Sequence, residues 1–351
     1  LTKKTTRTQQ RNPTNKSIKQ HHIQKQPQTM TTTPTINFFD PHFHIWDLTK
    51  TIHDATILFP PSNDPNYNLV NYENEFQNNT SIKHIGGTYI EAISVCYPAE
   101  DNINARCLQE ANWAVPSISN ANSNPDSKYV VVASACLEAD DIQDTLTKLQ
   151  EISTSTSNPT PIVGIRQILN KDPSWPRNKD RADFLTSPQW QQGYSLLANY
   201  NFSFDLQLNP SQFSAAVKFL AQHPKTTVVI NHMGCMLEKD VGNEEVWEGL
   251  EQLASLKHVC IKISMLCYTY LNFDDANQGR KETFGNVKRV IEMFGMERCM
   301  FASNFPVDVK DGWGGERLMK VFVEFVKEMG YGEKEVNMLF SGNAMRVYKV
   351  V

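Results

Sequence analysis

Two histidines one residue apart, His42 and His44, close the stretch Asp40-Pro41-His42-Phe43-His44 behind a short apolar run. Extended backbone points alternate side chains the same way, so both imidazoles share one side with Cα atoms about 7 Å apart. They can converge on one ion or one substrate oxygen. Nine histidines in 351 residues make a chance His-x-His pair ordinary, so the pair draws its meaning from where it stands. Other chemistry-bearing residues stand in similar places. His232 follows the run Thr227–Asn231, and Asn304 follows Met300–Ser303 with Asp308 four residues on. Glu91 follows Ile85–Ile90. Arg166 alternates with Ile165, and its planar fork suits a substrate carboxylate or a salt bridge to Glu91 or Asp205. Asp205 and Gln207 alternate with Phe204, Leu206 and Leu208, while Lys262 and Ser264 alternate with Ile261 and Ile263. Asp205 and Lys262 read as reacting groups or as a buried ion pair. The remaining histidines, His21, His22, His53, His84, His223 and His258, lack such placement and read as tail or surface residues.

The elements that must hold these groups repeat in type. β-branched runs fall at Ile36–Phe39, Ile85–Ile90, Tyr129–Ala135, Ile162–Ile168, Phe202–Leu208, Thr227–Asn231, Val259–Ser264 and Met300–Ser303. Helical periodicity marks Ile142–Ile152, Gln212–Gln222, Glu244–Leu256, Gly285–Phe294, Glu316–Met329 and Glu333–Val347. Eight strands alternating with helices predict a parallel, eight-stranded (β/α)8 TIM barrel in one α/β domain over 36–351. A doubly wound sheet is the alternative, but no G-x-G-x-x-G follows the first strand. Chemistry in a barrel belongs at the C-terminal strand ends, and seven of the eight ends carry a polar group. A barrel serving only as scaffold would have no reason to gather them there.

Composition narrows the classes. Hydrophobic residues make up 40% of the chain and charged residues 21%, enough for a sizeable core. No apolar run approaches the length of a membrane span. Residues 1–29 carry seven Lys/Arg and no acid, which leaves 27 basic against 38 acidic residues in the body. An acidic body argues against a nucleic-acid enzyme. Residues 1–35 are too poor in aliphatic residues to order, and Met30 ahead of TTTPTINFFD suggests that residues 1–29 lie upstream of the native start. Ser117–Ser127 and Ser153–Thr160 read as loops. Seven scattered cysteines without a C-x-x-C pair indicate free thiols in a reducing, cytoplasmic setting. The expected partner is a small-molecule substrate, with neither nucleic acid nor membrane and with a homo-oligomer left open.

The opening Asp40-Pro41-His42-Phe43-His44-Ile45-Trp46-Asp47 resembles the D-x-H-x-H-x-W motif of the amidohydrolase-related branch of the amidohydrolase superfamily. Gly164-Ile165-Arg166-Gln167, Phe204-Asp205-Leu206-Gln207, Ile230-Asn231-His232-Met233-Gly234, Lys262-Ile263-Ser264 and Ser303-Asn304-Phe305-Pro306-Val307-Asp308 follow in that family's order, as does Gly342-Asn343-Ala344 with Arg346 and Tyr348. The resemblance implies a lactonase-like hydrolase that opens a small lactone or cyclic ester by water attack. The alternatives are a metal-dependent decarboxylase on the same barrel and a non-catalytic ligand-binding barrel. It also implies that His42, His44 and His232 line the reaction centre and are the candidate metal ligands. Arg166, Glu91 and Gln207 are the candidate substrate contacts. The family's last strand usually supplies an Asp that binds metal or acts as base, and here that position is Asn304; Asn231 likewise stands where Asp is common. A neutral amide accepts no proton near pH 7 and brings no charge to a metal. The expectation is a weakly held divalent ion such as zinc, or none, with Asp308 as the candidate base.

Overall fold

The computed structural model describes residues 35–47, 66–92, 102–122, 124–155, 160–171, 183–274 and 278–350. The expected disorder of residues 1–35 falls, up to residue 34, outside the described residues, as do His21, His22, His53, Cys96 and residues 156–159 of the expected Ser153–Thr160 loop, whose first two residues are helical. Eight strands form where the β-branched runs stand: β1 (Ile36–Phe43), β2 (Ile82–Ile90), β3 (Lys128–Ser134), β4 (Ile162–Ile168), β5 (Ser203–Gln207), β6 (Val228–Ile230), β7 (Val259–Ile263) and β8 (Cys299–Phe301). They lie side by side in chain order, every neighbouring pair parallel. The ring closes past β8. There the Asn304 N–H donates to the His42 carbonyl and the His44 N–H donates to the Phe305 carbonyl, both at 2.8 Å. The architecture is the expected parallel (β/α)8 barrel, with residues 35–351 as one unit.

Helices cover the outside: α1 (Leu69–Asn74), α2 (Ile103–Ala121), α3 (Ile142–Thr154), α4 (Pro188–Leu196), α5 (Phe213–Leu220), α6 (Glu244–Ser255), α7 (Gln278–Phe294) and α8 (Gly315–Glu328). Their starts carry local signals. Ser187 caps α4 by accepting from the Trp190 N–H, with Pro188 at the first turn, and Asn243 caps α6 by accepting from the Glu245 N–H. Helix α2 absorbs Ser117–Ala121, which composition suggested as loop. Asn102 caps it, and buried Cys107, Ala111, Ala114, Val115 and Ile118 give it an apolar face that outweighs the polar residues between them.

The core has two layers. Outward-facing Ile165, Phe204, Leu206, Val228 and Ile261 pack under the helices. The barrel interior is filled by Phe39, Ile90, Val130, Val132, Val229, Cys260 and Met300. Val347 and Tyr348 join that interior cluster from the chain's end. The final helical stretch, expected to be continuous, is Glu333–Asn337, a π-helical turn at Met338–Gly342 and α9 (Asn343–Val347). The wider turn accompanies a fixed anchor: the Asn343 amide donates to the carbonyls of Met296 and Cys299, at 2.7 and 2.8 Å.

Candidate active site

Asp40 organises the end of β1. Its buried carboxylate accepts the N–H groups of His42 (3.1 Å) and Ser303 (3.0 Å), the Ser303 hydroxyl and the Tyr72 hydroxyl (2.9 Å). The strand bulges on either side of Asp40, and one side chain thereby ties β1 to the chain leaving β8. Burial pushes the Asp40 carboxyl up to about 6, against the pull of these donors. The ends of β6, β7 and β8 turn sharply through left-handed backbone, with φ of 55° at His232, 54° at Met265 and 59° at Asn304. Such conformations cost non-glycine residues about 1–3 kcal/mol each and gather at functional sites.

These turns bring the three expected histidines together. His42 Nε2 lies 3.2 Å from His44 Nε2, and the His42 and His232 rings stand 4.4 Å apart between centroids. His44 Nδ1 is 2.8 Å from the Ile90 carbonyl, which can only accept, so its proton is on Nδ1 and its Nε2 offers a lone pair. His232 Nδ1 meets the Ser264 hydroxyl at 2.9 Å. All three rings are buried. Burial, reinforced by the positive charges of Arg166 and Lys262, holds His42 and His232 well below the usual imidazole range. His44 falls to about 3 for the same reasons, against hydrogen bonds with Ile90 and Asn304. The cluster is uncharged near neutral pH.

Buried charges flank it. Arg166 donates from Nε to a Glu91 carboxylate oxygen (2.7 Å), from Nη1 to Gln207 Oε1 (3.0 Å) and from Nη2 to the Glu91 carbonyl. The salt bridge to Glu91 thus exists, and the fork also reaches Gln207. Asp205 and Lys262 form an ion pair with both side chains fully buried. Asp205 further accepts from Asn231 Nδ2 (2.9 Å) and from the Tyr348 hydroxyl (2.8 and 3.0 Å), while Lys262 Nζ meets His42 Nδ1 at 3.2 Å. Burial lowers the Lys262 ammonium to about 8, with Asp205 resisting. Asn304 Nδ2 donates to Asp308 Oδ1 at 2.8 Å. Two buried acceptors, Glu91 Oε2 and Asn231 Oδ1, have no hydrogen-bond partner among the described residues.

The donor set suits a divalent ion poorly. His42 and His44 engage each other, an ammonium abuts His42, and the amide of Asn304 stands where a carboxylate would add charge. No three His, Cys, Asp or Glu side chains among the described residues are disposed to hold a metal. Residue patterning did not reveal Tyr348 as part of this centre, since nothing in a terminal helix announces contact with the barrel interior. His84 departs from its surface reading: it stacks on Phe76 at 4.6 Å between ring centroids and meets the Tyr72 hydroxyl at 3.0 Å, because Ile82–Ile90 extends the strand through it.

The sequence model of the amidohydrolase family matches residues 162–350, from β4 through α9. The chain is 24% identical over 320 residues to the uncharacterized protein y4mH of Sinorhizobium fredii, covering 90% of this chain and 99% of that one. Among solved structures it is similar to an amidohydrolase from Burkholderia multivorans with bound HEPES. That match has 17% identity and a TM-score of 0.66, over 91% of this chain and 100% of that one. The Burkholderia protein has also been solved with bound Zn. A probable 2-pyrone-4,6-dicarboxylic acid hydrolase from Acinetobacter baumannii, with citric acid bound, matches at 16% identity and a TM-score of 0.61, over 90% of this chain and 100% of that one. These structural likenesses are likenesses of fold.

Proposed function

The chain belongs to the amidohydrolase family, and within it we propose a hydrolase that opens a small lactone or cyclic ester bearing a carboxylate. The observation that carries this reading is the uncharged cluster of His42, His44 and His232 set between two buried cations, Arg166 and Lys262. Donors aimed at a carbonyl oxygen in such a dry site stabilise the oxyanion that forms when water attacks. An imidazole held at about 3 is not protonated near neutral pH and has no imidazolium proton to give a departing amine, whereas the alkoxide of an opening ring needs less help. Asp308, held by Asn304, is the base that takes the water's proton. Arg166 has five N–H donors and directs three of them at Glu91 and Gln207, which leaves hydrogens for a substrate carboxylate. The unpartnered oxygens of Glu91 and Asn231 can accept substrate hydroxyls. The name of the Acinetobacter relative, a pyrone dicarboxylic acid hydrolase, agrees with this substrate class.

We place the protein in the cytoplasm. Cys107, Cys235, Cys260 and Cys299 are free and buried, as in a reducing compartment, and no described helix is long and apolar enough to cross a membrane. The test of function is a panel of carboxylated and neutral lactones, followed by pH-stat and by CO2 detection. Acid release favouring carboxylated lactones is expected. Release of CO2 from an aromatic acid instead, or binding without turnover, would overturn the proposal.

A further inference from the structure

We infer that Lys262 is a positioning residue: it fixes the proton of His42 on Nε2, so that His42 meets its ligand as a hydrogen-bond donor. Lys262 Nζ is fully buried, paired with Asp205 and 3.2 Å from His42 Nδ1. Asp205 also accepts from Tyr348 and Asn231, so three donors converge on the carboxylate that faces Lys262. An ammonium has three hydrogens and no lone pair, so His42 Nδ1 must accept. A neutral imidazole that accepts at Nδ1 carries its proton on Nε2. That proton points at His44 Nε2, 3.2 Å away, which is a lone pair because His44 donates from Nδ1 to the Ile90 carbonyl.

The run therefore reads in one direction, from Lys262 through His42 and His44 to a backbone carbonyl. The opposite tautomer would set an N–H against the ammonium and two lone pairs against each other. With Lys262 in place, His42 has no free lone pair for a cation but one N–H that a substrate carbonyl can take over from His44. The tautomer stands on this geometry alone; only its use on a carbonyl rests on the hydrolase reading.

The test is long-range 1H–15N NMR on protein labelled at histidine, at pH 7, with the His42 signals assigned by their loss in His42→Gln. A protonated Nε2 and a bare Nδ1 are expected in the wild-type protein. In Lys262→Met the tautomer ratio should move by about tenfold or more toward Nδ1–H, the bias a charged hydrogen bond exerts. A variant that merely loosened the fold would lower the melting temperature and leave the ratio unchanged. Should Lys262→Met not fold, Lys262→Met with Asp205→Asn removes both charges and is read in the same way. A wild-type proton on Nδ1, a doubly protonated ring, or an unchanged ratio in the variant overturns the inference. None of these readouts involves turnover, so failure of the lactone panel is a separate result.

Discussion

A buried guanidinium must place its donors, and Arg166 uses three on two neighbours, Glu91 and Gln207. Arg166→Lys keeps the charge and loses the fork, so it should weaken both folding and substrate binding. Loss of hydrogen bonds to a charged group costs roughly 1–3 kcal/mol, and urea unfolding should show a loss of that size. The KM for a carboxylated lactone should rise more than that for a neutral one. Equal rises would confine Arg166 to its structural role; unchanged stability would mean that the Glu91 contacts contribute little. The sequence already placed Arg166, Asp205, Gln207 and Lys262 inside the barrel, because a period of two fixes the face of each side chain. It left the pairings open. Whether Arg166 reaches Glu91 or Asp205 depends on the stagger of neighbouring strands, here Arg166 opposite Asp205 in register yet bonded to Glu91, and stagger leaves no mark on a single strand's pattern.

Element by element, the strands were legible because β-branched runs between polar breaks have few other uses. Their exact ends were less so: β1 continues through Pro41 to Phe43, carried by pairing with β2 rather than by propensity. The C-terminal stretch shows what periodicity misses. It reads as one helix, but a π turn redirects it, and α9 delivers Ala344, Val347 and Tyr348 to the barrel interior. The Tyr348 hydroxyl then donates to Asp205, which links the chain's end to Lys262 and His42. Tyr348→Phe should therefore destabilise by about 1–3 kcal/mol, since it strips a donor from a buried carboxylate. Tyr348→Ala should cost roughly 3–5 kcal/mol by adding a cavity. Denaturant titration measures both. If Tyr348→Phe is as stable as the wild-type protein, the helix holds its place by packing alone and the link to Asp205 contributes nothing.

The whole molecule should register its buried histidines in the response to acid. His42, His44, His84 and His232 are all held below the ordinary imidazole value by burial, His44 and His84 to about 3. Unfolding restores an ordinary value near 6.5 to each, so below that pH the unfolded chain binds protons that the folded chain refuses. Stability supplied by these groups is complete above about pH 6.5 and is lost as the pH falls toward their folded values, at about 1.4 kcal/mol per pH unit for each. Asp40 has the opposite sign. Its folded carboxyl is raised to about 6, so between there and the ordinary carboxylate value the folded state holds a proton that the unfolded chain lacks, and this offsets one histidine. The four histidines outweigh Asp40, so the net effect is a loss of stability as the pH falls below about 6.5. Urea midpoints should thus hold steady from pH 8 to 7 and fall steeply below 6.5. His84→Gln, which leaves the three site histidines intact, should flatten that slope by one proton. A wild-type midpoint that stays level from pH 7 to 5 would mean that the site histidines ionise within the folded protein as readily as in the unfolded chain, and burial would not hold them uncharged in mild acid.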